Sequence, residues 1–328
     1  MNFVFLADPL STFDFPTDTT FICMVESANR GHTVFFLPDG GISLKDGKVF
    51  FRVTRVIPQL LEKQMSACGF VVAEKDSMIL SEDEVDALFI RTNPPFDAAY
   101  LMNTWLLDRL PKRIPIINSP EGIRTVNEKI WATQFTSIIP RTLVTRHEED
   151  FLNFLEEEKD IVLKPTDGYG GKSVFRIRAG ETNQNVIFET MSQTGKKEVI
   201  LQSYLPEAEV GDKRILLLNG EPLEALLRVH PATDHRNNLG VGGHAEPTEI
   251  TTEDEKIIEV LKPELRRLGL YFVGIDVIGG KLIEVNVTSP TCLQAMNHLY
   301  GEKLEVEVID FVETLVERFN WNGNDAQN

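Results

Sequence analysis

Apolar and polar positions alternate along the first third of the chain in a pattern that predicts strands and helices in turn. Residues 3–6 and 33–37 are short apolar runs typical of buried strands. Asp18 precedes an amphipathic run that ends before Gly31, the pattern of a capped helix. Four further elements are predicted here: a hairpin at 43–53, strands at 86–91 and 114–118, and a helix at 97–110. This alternation favours a partly parallel sheet with helices on its faces.

The rest of the chain changes character, because hairpins become frequent. Ser119 followed by Pro120 is a helix start, and it predicts a helical stretch through residues 127–129. The remaining predicted elements are strands at 161–164 and 173–177, a hairpin at 214–229, a helix at 252–268, strands at 271–278 and 281–287, and an amphipathic helix at 304–319. Residues 320–328 are polar, and we expect them to form a frayed tail.

Composition and charge exclude several classes of protein. The 328 residues contain 33 Lys and Arg against 50 Asp and Glu, a net charge of −17, so we expect no nucleic-acid partner. No apolar stretch approaches the ~20 residues that span a bilayer. The opening residues lack a basic segment and predict a strand rather than a signal peptide. Cys23, Cys68 and Cys292 are scattered, which favours a reduced, cytoplasmic protein without a disulfide framework or zinc site.

A glycine-rich segment, residues 165–172, separates two predicted strands. Gly168, Gly170 and Gly171 would let backbone N–H groups approach an anion closely. The spacing differs from that of a Walker A loop, and no helix follows as a Rossmann turn requires. The segment therefore predicts either a flap over phosphates or a plain flexible hairpin.

Two carboxylates and an amide stand in an otherwise apolar region near the carboxyl end. Glu284 and Asn286 are two residues apart on a strand and therefore share a face, which Asp276 on the preceding strand could join. Such oxygen ligands, combined with substrate phosphates, suit Mg²⁺ or Mn²⁺. The alternative interpretation is the solvent-facing side of a hairpin.

The length of the connecting turn decides whether the two carboxylates meet. A two-residue loop at Gly279-Gly280 would pair Asp276 with Ile283, whereas a three-residue loop that includes Lys281, with a bulge, would pair Asp276 with Glu284. We favour the second alternative.

Basic residues flank these segments in a chain that is otherwise strongly acidic. They are Lys129, Lys164, Lys172, Lys213, Arg214, Arg228 and Arg236. Lys164 ends a buried strand, where a charge is costly unless it meets a counter-charge. Residues 230–247 lack periodicity, and they are interpreted as a long loop that acts as a lid or is disordered.

Seven motifs in a fixed order resemble those of the bacterial glutathione synthetases, which are ATP-grasp ligases. They are NEK at 127–129, IVLKP at 161–165, DGYGG at 167–171, QSYLP at 202–206, GDKR at 211–214, FVGID at 272–276 and EVNVTSPT at 284–291. The similarity extends from about residue 2 to residue 319. EVNVTSPT together with DGYGG is far more specific than either string alone.

The resemblance implies an α/β (α+β) fold with a partly parallel amino-terminal domain and two α+β ATP-grasp subdomains that clamp the nucleotide. The implied limits are 1–122 for the first domain, 123–201 for the ATP-grasp lid, 202–319 for the carboxyl-terminal subdomain and 320–328 for a flexible tail. It also implies ATP-dependent joining of γ-glutamylcysteine to glycine through an acyl phosphate, in a cytoplasmic homotetramer.

The resemblance also assigns site residues. The implied ATP contacts are Lys129, Lys164, Gly168, Tyr169, Gly170, Gly171, Gln202, Tyr204, Leu205 and Asp212, with the backbone of Tyr204 and Leu205 at the adenine and Asp212 at the ribose. The implied metal ligands for Mg²⁺ or Mn²⁺ are Asp276, Glu284 and Asn286. The implied peptide-substrate contacts are Arg214, Arg228, Arg236 and Ser289, with Arg214 and Arg236 catalytic.

Three positions depart from the family pattern, namely Asn93, Lys172 and His244. Two other functions stay open on the residues alone. One is an ATP-grasp ligase that acts on a different amino acid or peptide, and the other is a nucleotide-binding module without catalysis. Loss of turnover in Asp276→Asn would distinguish an enzyme from the binding module.

Overall fold

The computed structural model describes residues 1–60, 70–73, 77–168, 170–230 and 242–325. Its first sheet has eight strands: Asn2–Ala7 (β1), Thr33–Leu37 (β2), Ile42–Lys45 (β3), Lys48–Gln59 (β4), Phe70–Ala73 (β5), Met78–Ser81 (β6), Ala87–Arg91 (β7) and Ile116–Ile117 (β8). Strands β2, β1, β7 and β8 are adjacent and parallel, which confirms the predicted partly parallel sheet. The long strand β4 pairs antiparallel with β2, β3, β5 and β6.

Three helices accompany this sheet: Thr19–Asn29 (α1), Ala98–Leu107 (α2) and Pro120–Thr125 (α3). The Asp18 side chain caps α1 as predicted, because its Oδ1 accepts a hydrogen bond from Phe21 N at 2.8 Å. The prediction that α3 continues through residues 127–129 is wrong. Asn127 Oδ1 accepts instead from the backbone N–H groups of Lys129 (3.1 Å) and Ile130 (2.9 Å), so a side chain replaces the helical acceptor and a turn follows.

The second sheet is antiparallel and has four strands: Thr142–Thr145 (β9), Asp160–Pro165 (β10), Phe175–Arg178 (β11) and Val199–Ser203 (β12). Helices Glu148–Glu158 (α4) and Gln184–Met191 (α5) pack on it around a small apolar core. The sequence predicted the strands on both sides of the glycine-rich segment, and the antiparallel pair β10–β11 confirms them.

The third sheet is antiparallel and has five strands: Asp212–Leu218 (β13), Glu221–Val229 (β14), His244–Pro247 (β15), Phe272–Ile278 (β16) and Lys281–Asn286 (β17). Its helices are Thr252–Arg267 (α6), Leu293–Tyr300 (α7) and Leu304–Asp325 (α8). The expected loop at 230–247 is wrong for its last four residues, because β15 gains hydrogen-bonded pairing with β14. The expected frayed tail is likewise wrong up to Asp325, since α8 continues six residues past residue 319.

The first and third sheets share apolar cores that contain residues of both. Asn118, which directly follows β8 and is 2 % exposed, joins them. Its Nδ2 donates to the carbonyls of Phe272 (2.7 Å) and Val287 (2.8 Å), and its Oδ1 accepts from Phe272 N (2.8 Å). Within the described part of the chain, no helix combines the length and apolarity that crossing a membrane requires.

Candidate active site

A cleft of about 350 Å³ lies where the three sheets approach one another. The second sheet supplies one wall through β10 and β12, and the third sheet supplies the other through β13, β16 and β17. The predicted site residues that line it are Lys129, Lys164, Gly168, Gly170, Gly171, Gln202, Tyr204, Leu205, Asp212, Arg214, Arg228, Asp276, Glu284, Asn286 and Ser289. Tyr169 and Arg236 lie outside the described residues.

Strands β16 and β17 bring the predicted acidic pair together. Asp276 lies directly opposite Glu284, the pairing that the sequence analysis favoured. The length of the turn differs from the prediction. The turn has two residues, Gly279-Gly280, and Ile283 is the extra residue of a bulge. Both glycines have positive φ, 54° and 68°, as the tightest hairpin turns require.

Asp276 on β16 is held by two arginines, Arg214 on the neighbouring strand β13 and Arg228 on the next strand, β14. Arg214 Nε lies 2.5 Å from Asp276 Oδ1, and Arg228 contacts Oδ2 at 3.0 Å. Arg228 also binds Asp212 in a fork, with distances of 2.6 and 2.8 Å. Burial opposes ionisation of Asp276, but the two guanidinium groups outweigh it and hold the pKa of that carboxyl well below its usual range. The four side chains therefore form a buried group with balanced charge.

The two lysines of the cleft differ in their partners. Lys129 Nζ donates to Glu284 Oε1 at 2.7 Å and to the Gly168 carbonyl at 2.5 Å, and although burial opposes its charge, Glu284 raises the pKa of Lys129. Lys164 is 6 % exposed, and its Nζ donates to the neutral Gln202 Oε1 at 3.0 Å. Burial lowers the pKa of Lys164 to about 8. Lys164 is therefore a buried cation without a hydrogen-bonded counter-charge among the described residues.

The glycine-rich segment connects β10 to β11 over the mouth of the cleft. A Cβ at Gly168 would lie 2.5 Å from the Pro165 ring, so only glycine fits there. Lys197 anchors the segment from α5's side through two contacts to the Asp167 carboxylate, at 3.0 and 2.9 Å. This geometry agrees with a flap that is tethered at one edge.

A stacked pair forms the far wall of the cleft, next to β12. The Arg176 guanidinium lies 3.4 Å from the centroid of the Tyr204 ring, and Tyr204 Oη donates to Glu209 Oε1 at 2.6 Å. Tyr204 N already donates to the Asp160 carbonyl at 3.0 Å, so that amide is occupied within the protein. The sequence analysis did not single out Arg176, whose position on a short amphipathic strand carries no distinctive signal.

Glu128 is a second residue whose individual role the sequence analysis missed. Its Oε1 accepts from Thr288 Oγ1 at 2.8 Å and from the backbone N–H groups of Val287 (3.1 Å) and Thr288 (3.3 Å). Burial, reinforced by the nearby Glu284, raises the pKa of Glu128. Glu128 thus fixes the strand end that follows Asn286, and the NEK motif was the signal that could have identified it.

The arrangement provides opposite charges on facing walls of one cleft. The lysines and the backbone N–H groups of the glycine-rich flap suit a polyphosphate. The paired carboxylates suit a divalent cation bound next to that polyphosphate. Arginines beside the carboxylates add planar donors for a carboxylate or phosphoryl group. The cleft therefore has the parts needed for phosphoryl transfer to a carboxylate.

Comparisons with known proteins identify relatives along nearly the whole chain. Residues 1–124 match the model of the prokaryotic glutathione synthetase N-terminal domain, and residues 128–301 match that of the prokaryotic glutathione synthetase ATP-grasp domain. The chain is 41 % identical to a glutathione synthetase of Nostoc sp., over 95 % of this chain and 98 % of the relative. It is 34 % identical to the glutathione synthetase of Escherichia coli K12, over 95 % and 97 %.

Solved structures share the fold at lower identity. The D-cycloserine synthetase DcsG superimposes with a TM-score of 0.63 at 15 % identity, over 97 % of this chain and 99 % of that one. The ATP-grasp ligase PsnB, complexed with a precursor variant, Mg and ADP, gives a TM-score of 0.61 at 15 % identity, over 95 % and 98 %. These likenesses establish the ATP-grasp architecture that the sequence predicted.

Proposed function

The chain belongs to the prokaryotic glutathione synthetase family, and from that premise we propose how its own residues join γ-glutamylcysteine to glycine while ATP is converted to ADP and phosphate. The family is an ATP-grasp ligase family, so the chain is an ATP-dependent ligase of glutathione synthesis. The observation that carries the assignment of roles is the convergence of two lysines, two arginines and two carboxylates in one cleft.

The triphosphate of ATP binds between the lysines and the flap. Lys129 and Lys164 neutralise the phosphates, and the N–H groups of Gly168, Gly170 and Gly171 cover them. Adenine lies beside β12, where Gln202, Tyr204 and Leu205 line the cleft. The Leu205 N–H is the available backbone donor, because the Tyr204 N–H is taken by Asp160. Asp212 contacts the ribose on its outer side, since Arg228 occupies its inner side.

Asp276, Glu284 and Asn286 are the proposed ligands for Mg²⁺ or Mn²⁺. No group of three or more His, Cys, Asp and Glu side chains suited to a metal occurs in the described ranges, so the protein offers two carboxylates and one amide. That donor set fits a hard cation that takes its remaining ligands from phosphates and water. Asp276 Oδ2 and Asn286 Nδ2 are 3.5 Å apart, so one ion can contact both side chains after an amide rotation. When bound, the metal neutralises charge that develops during phosphoryl transfer.

The arginines orient the reacting carboxylate. Arg214 and Arg228 line the wall next to the proposed metal site and direct the cysteinyl carboxylate toward the γ-phosphate. The carboxylate oxygen attacks the γ-phosphorus, ADP leaves, and an acyl phosphate forms. The glycine amine then attacks the acyl carbon and releases inorganic phosphate. From the family resemblance, Arg236 is proposed to orient the carboxylates of the peptide substrate, and Ser289 is a further proposed contact of that peptide.

Phosphate release is the direct test of this function. Purified protein with ATP and Mg²⁺ should release phosphate only when γ-glutamylcysteine and glycine are both present, with the tripeptide formed in step. Activity with another acid or amine, and none with this pair, would overturn the substrate assignment but keep the ATP-grasp mechanism. Tight ATP binding without release under any acceptor would overturn the assignment as an enzyme.

Asp276→Asn tests the proposed metal site. The variant keeps the shape but removes the charge, so turnover should fall at least about a hundredfold, because a bound metal contributes several kcal/mol to the transition state. Steady-state tripeptide formation measures this. Asp310→Asn is the matched control, since Asp310 is 60 % exposed and pairs with Arg30 far from the cleft. Equal activity of Asp276→Asn and the control would contradict the metal role.

We further propose a homotetramer that acts in the cytoplasm. The oligomeric state follows the family resemblance, and light scattering should give four times the 37.0 kDa of one chain. Free cysteines support the compartment, since Cys23 and Cys292 are buried and unpaired.

A further inference from the structure

Helix α2 has an unusual composition for a helix at the surface of a protein. Its ten residues, Ala98–Leu107, include none with a charged side chain. One side of the helix is buried against the first sheet through Tyr100, Thr104 and Leu107. The other side is exposed, although it is apolar as well. A helix that is apolar all round is normally covered all round, so we expect the exposed side of α2 to meet another surface.

The exposed side of α2 carries two large apolar side chains. Met102 is 50 % exposed and Trp105 is 51 % exposed, and their spacing of three residues places them on one face of the helix. Phe96, just before the helix, and Leu44, on the neighbouring strand β3, are exposed too. Methionine and aromatic side chains are enriched at protein interfaces, whereas most charged ones are depleted there. This face of α2 therefore has the composition of an interface.

Charges of opposite sign stand at the two ends of this face. Asp97 precedes the helix, and its Oδ1 accepts from Tyr100 N at 2.9 Å, which leaves its other oxygen available. Arg109 follows the helix at the far end and is exposed. Among the residues that the structure describes, neither Asp97 nor Arg109 forms an ion pair, whereas Asp108 between them pairs with Arg124. A surface with an acid at one end and a base at the other is complementary to its own copy turned through 180°.

Two copies of α2 packed antiparallel about a two-fold axis satisfy both features. If the axis passes near residue 103, position 97 of one copy lies opposite position 109 of the other, and position 101 lies opposite position 105. The apolar faces then cover each other, and an acid faces a base at each rim. Two chains that each carry a net charge of −17 repel one another, so an uncharged face is where a second copy approaches at the least cost.

We propose that α2 forms a two-fold contact with α2 of a second copy of this chain, in which Met102 and Trp105 of both copies are buried and Asp97 of each copy faces Arg109 of the other. The inference deepens the proposed homotetramer and rests on it for the number of chains. A tetramer with dihedral symmetry contains more than one kind of two-fold interface, and this contact is one of them. Met102, Trp105 and Arg109 do not line the cleft, so loss of the contact can be separated from loss of ATP binding.

Trp105→Glu tests the centre of the contact. The substitution removes an aromatic side chain and brings two like charges together near the axis, so the dissociation constant of the α2 contact should rise at least about 30-fold. Analytical ultracentrifugation over a series of protein concentrations measures this, and the tetramer should give way to pairs of chains. Trp321→Glu is the matched control, because Trp321 on α8 is 74 % exposed and the same change there should leave association unaltered.

Arg109→Asp tests the direction in which the two helices run. It places like charges at both rims, so association should weaken by about 5- to 25-fold. Addition of Asp97→Asn, which removes the second charge but keeps a good N-cap residue, should restore part of that loss. If the helices were parallel, residue 97 would not meet residue 109, and a second substitution that restores nothing would overturn the antiparallel arrangement. Binding of a non-hydrolysable ATP analogue checks that each variant keeps its fold.

The mass of the wild-type protein separates this inference from the homotetramer. A wild-type tetramer that dissociates in Trp105→Glu supports both. A wild-type dimer that becomes a monomer in the variant supports the α2 contact and overturns the homotetramer. An equal mass in both proteins at every concentration overturns the α2 contact, and the proposed ligase function stands apart from that result.

Discussion

At the scale of single residues, the cations of the cleft differ in what neutralises them. Lys129 meets Glu284, and Arg214 meets Asp276, so each is charged at any ordinary pH. Among the residues that the structure describes, Lys164 donates a hydrogen bond to the amide oxygen of Gln202 alone. A buried lysine with a neutral partner is stabilised in its charged form when an anion binds beside it. Its protonation therefore depends on whether that anion is bound.

ATP binding should depend on pH through Lys164. The pKa of Lys164 is about 8, so above pH 8 the free protein loses the charge that the phosphates need. We expect the affinity for ATP to fall by up to about tenfold per pH unit above pH 8. Calorimetric titration with a non-hydrolysable analogue between pH 7 and 9.5 measures this. Lys164→Arg, which stays charged, should give a flat profile, and an equally steep profile in that variant would contradict the role.

The same shift affects stability with a definite sign. The unfolded chain holds the Lys164 proton up to its ordinary pKa of 10.5, whereas the folded chain releases it near 8. The charged form is thus a cost to folding below pH 8, and that cost disappears as the pH rises from 8 to 10.5. Urea unfolding of the ATP-free protein across this window should show a gain in wild type that Lys164→Gln lacks.

At the scale of elements, the hairpin β16–β17 shows what the sequence could and could not predict. The sequence analysis left this pairing to the length of the turn and favoured Asp276 opposite Glu284, because two carboxylates and an amide on one face suit a divalent cation. The register required a choice between turn lengths, and the structure uses a two-residue turn with a bulge at Ile283. The sequence around the turn does not show whether the extra residue lies in a longer turn or in a bulge of the strand, since both arrangements can place Asp276 opposite Glu284.

The sequence analysis did not predict two elements that have few buried residues of their own and that pack against a neighbouring sheet. Helix α4 has only three buried residues, Phe151, Phe154 and Leu155, amid acidic ones, and the strand Thr142–Thr145 has a single fully buried residue. Their periodicity is too short to indicate a state without the sheet on which they pack. Of the site, the motif residues were predictable, and the NEK motif could have identified Glu128 as well. Arg176 lies in no motif and owes its position to Asp160 and Tyr204.

The start of α6 gives an element-scale prediction. Thr251 Oγ1 accepts from Asp254 N at 3.3 Å, while the Asp254 carboxylate accepts from Thr251 N at 2.8 Å, a reciprocal cap. Thr251→Ala should lower the free energy of unfolding by about 1 kcal/mol, whereas Thr251→Ser should lose little because it keeps the hydroxyl. Denaturant unfolding compares the two, and equal losses would show that the methyl group rather than the cap matters.

At the scale of the whole molecule, the site depends on how three sheets are held together. The cleft has walls from the second and third sheets, and a neighbouring cavity has walls from the first and third. Asn118 is a buried polar contact between the first and third sheets, and it satisfies backbone groups on both sides of the segment that carries the acidic pair. The rigidity of the site therefore depends on how firmly the three sheets pack against one another.

Removal of the Asn118 amide should loosen that assembly. Asn118→Ala leaves the Phe272 N–H and two buried carbonyls without their partner, so we expect a loss of about 2–4 kcal/mol in the free energy of unfolding. Asn103→Ala is the matched control, because Asn103 is also buried, at 5 % exposed, but donates to the side chain of Asp39, which lies after β2. Thermal and urea unfolding measure both variants. A loss no larger than that of the control would contradict the joining role of Asn118.

The ion pairs of Arg214 and Arg228 with Asp276 have a consequence for the order in which ligands bind. Under the proposed metal assignment, a divalent cation at Asp276 would compete with both guanidinium groups for this carboxylate, and Arg214 and Arg228 would then be available to the carboxylate of the peptide. Thermodynamic linkage would make this effect reciprocal, so in this proposal the metal–nucleotide complex and the peptide would strengthen each other's binding by the same factor. Without the nucleotide, the peptide meets arginines that are already neutralised.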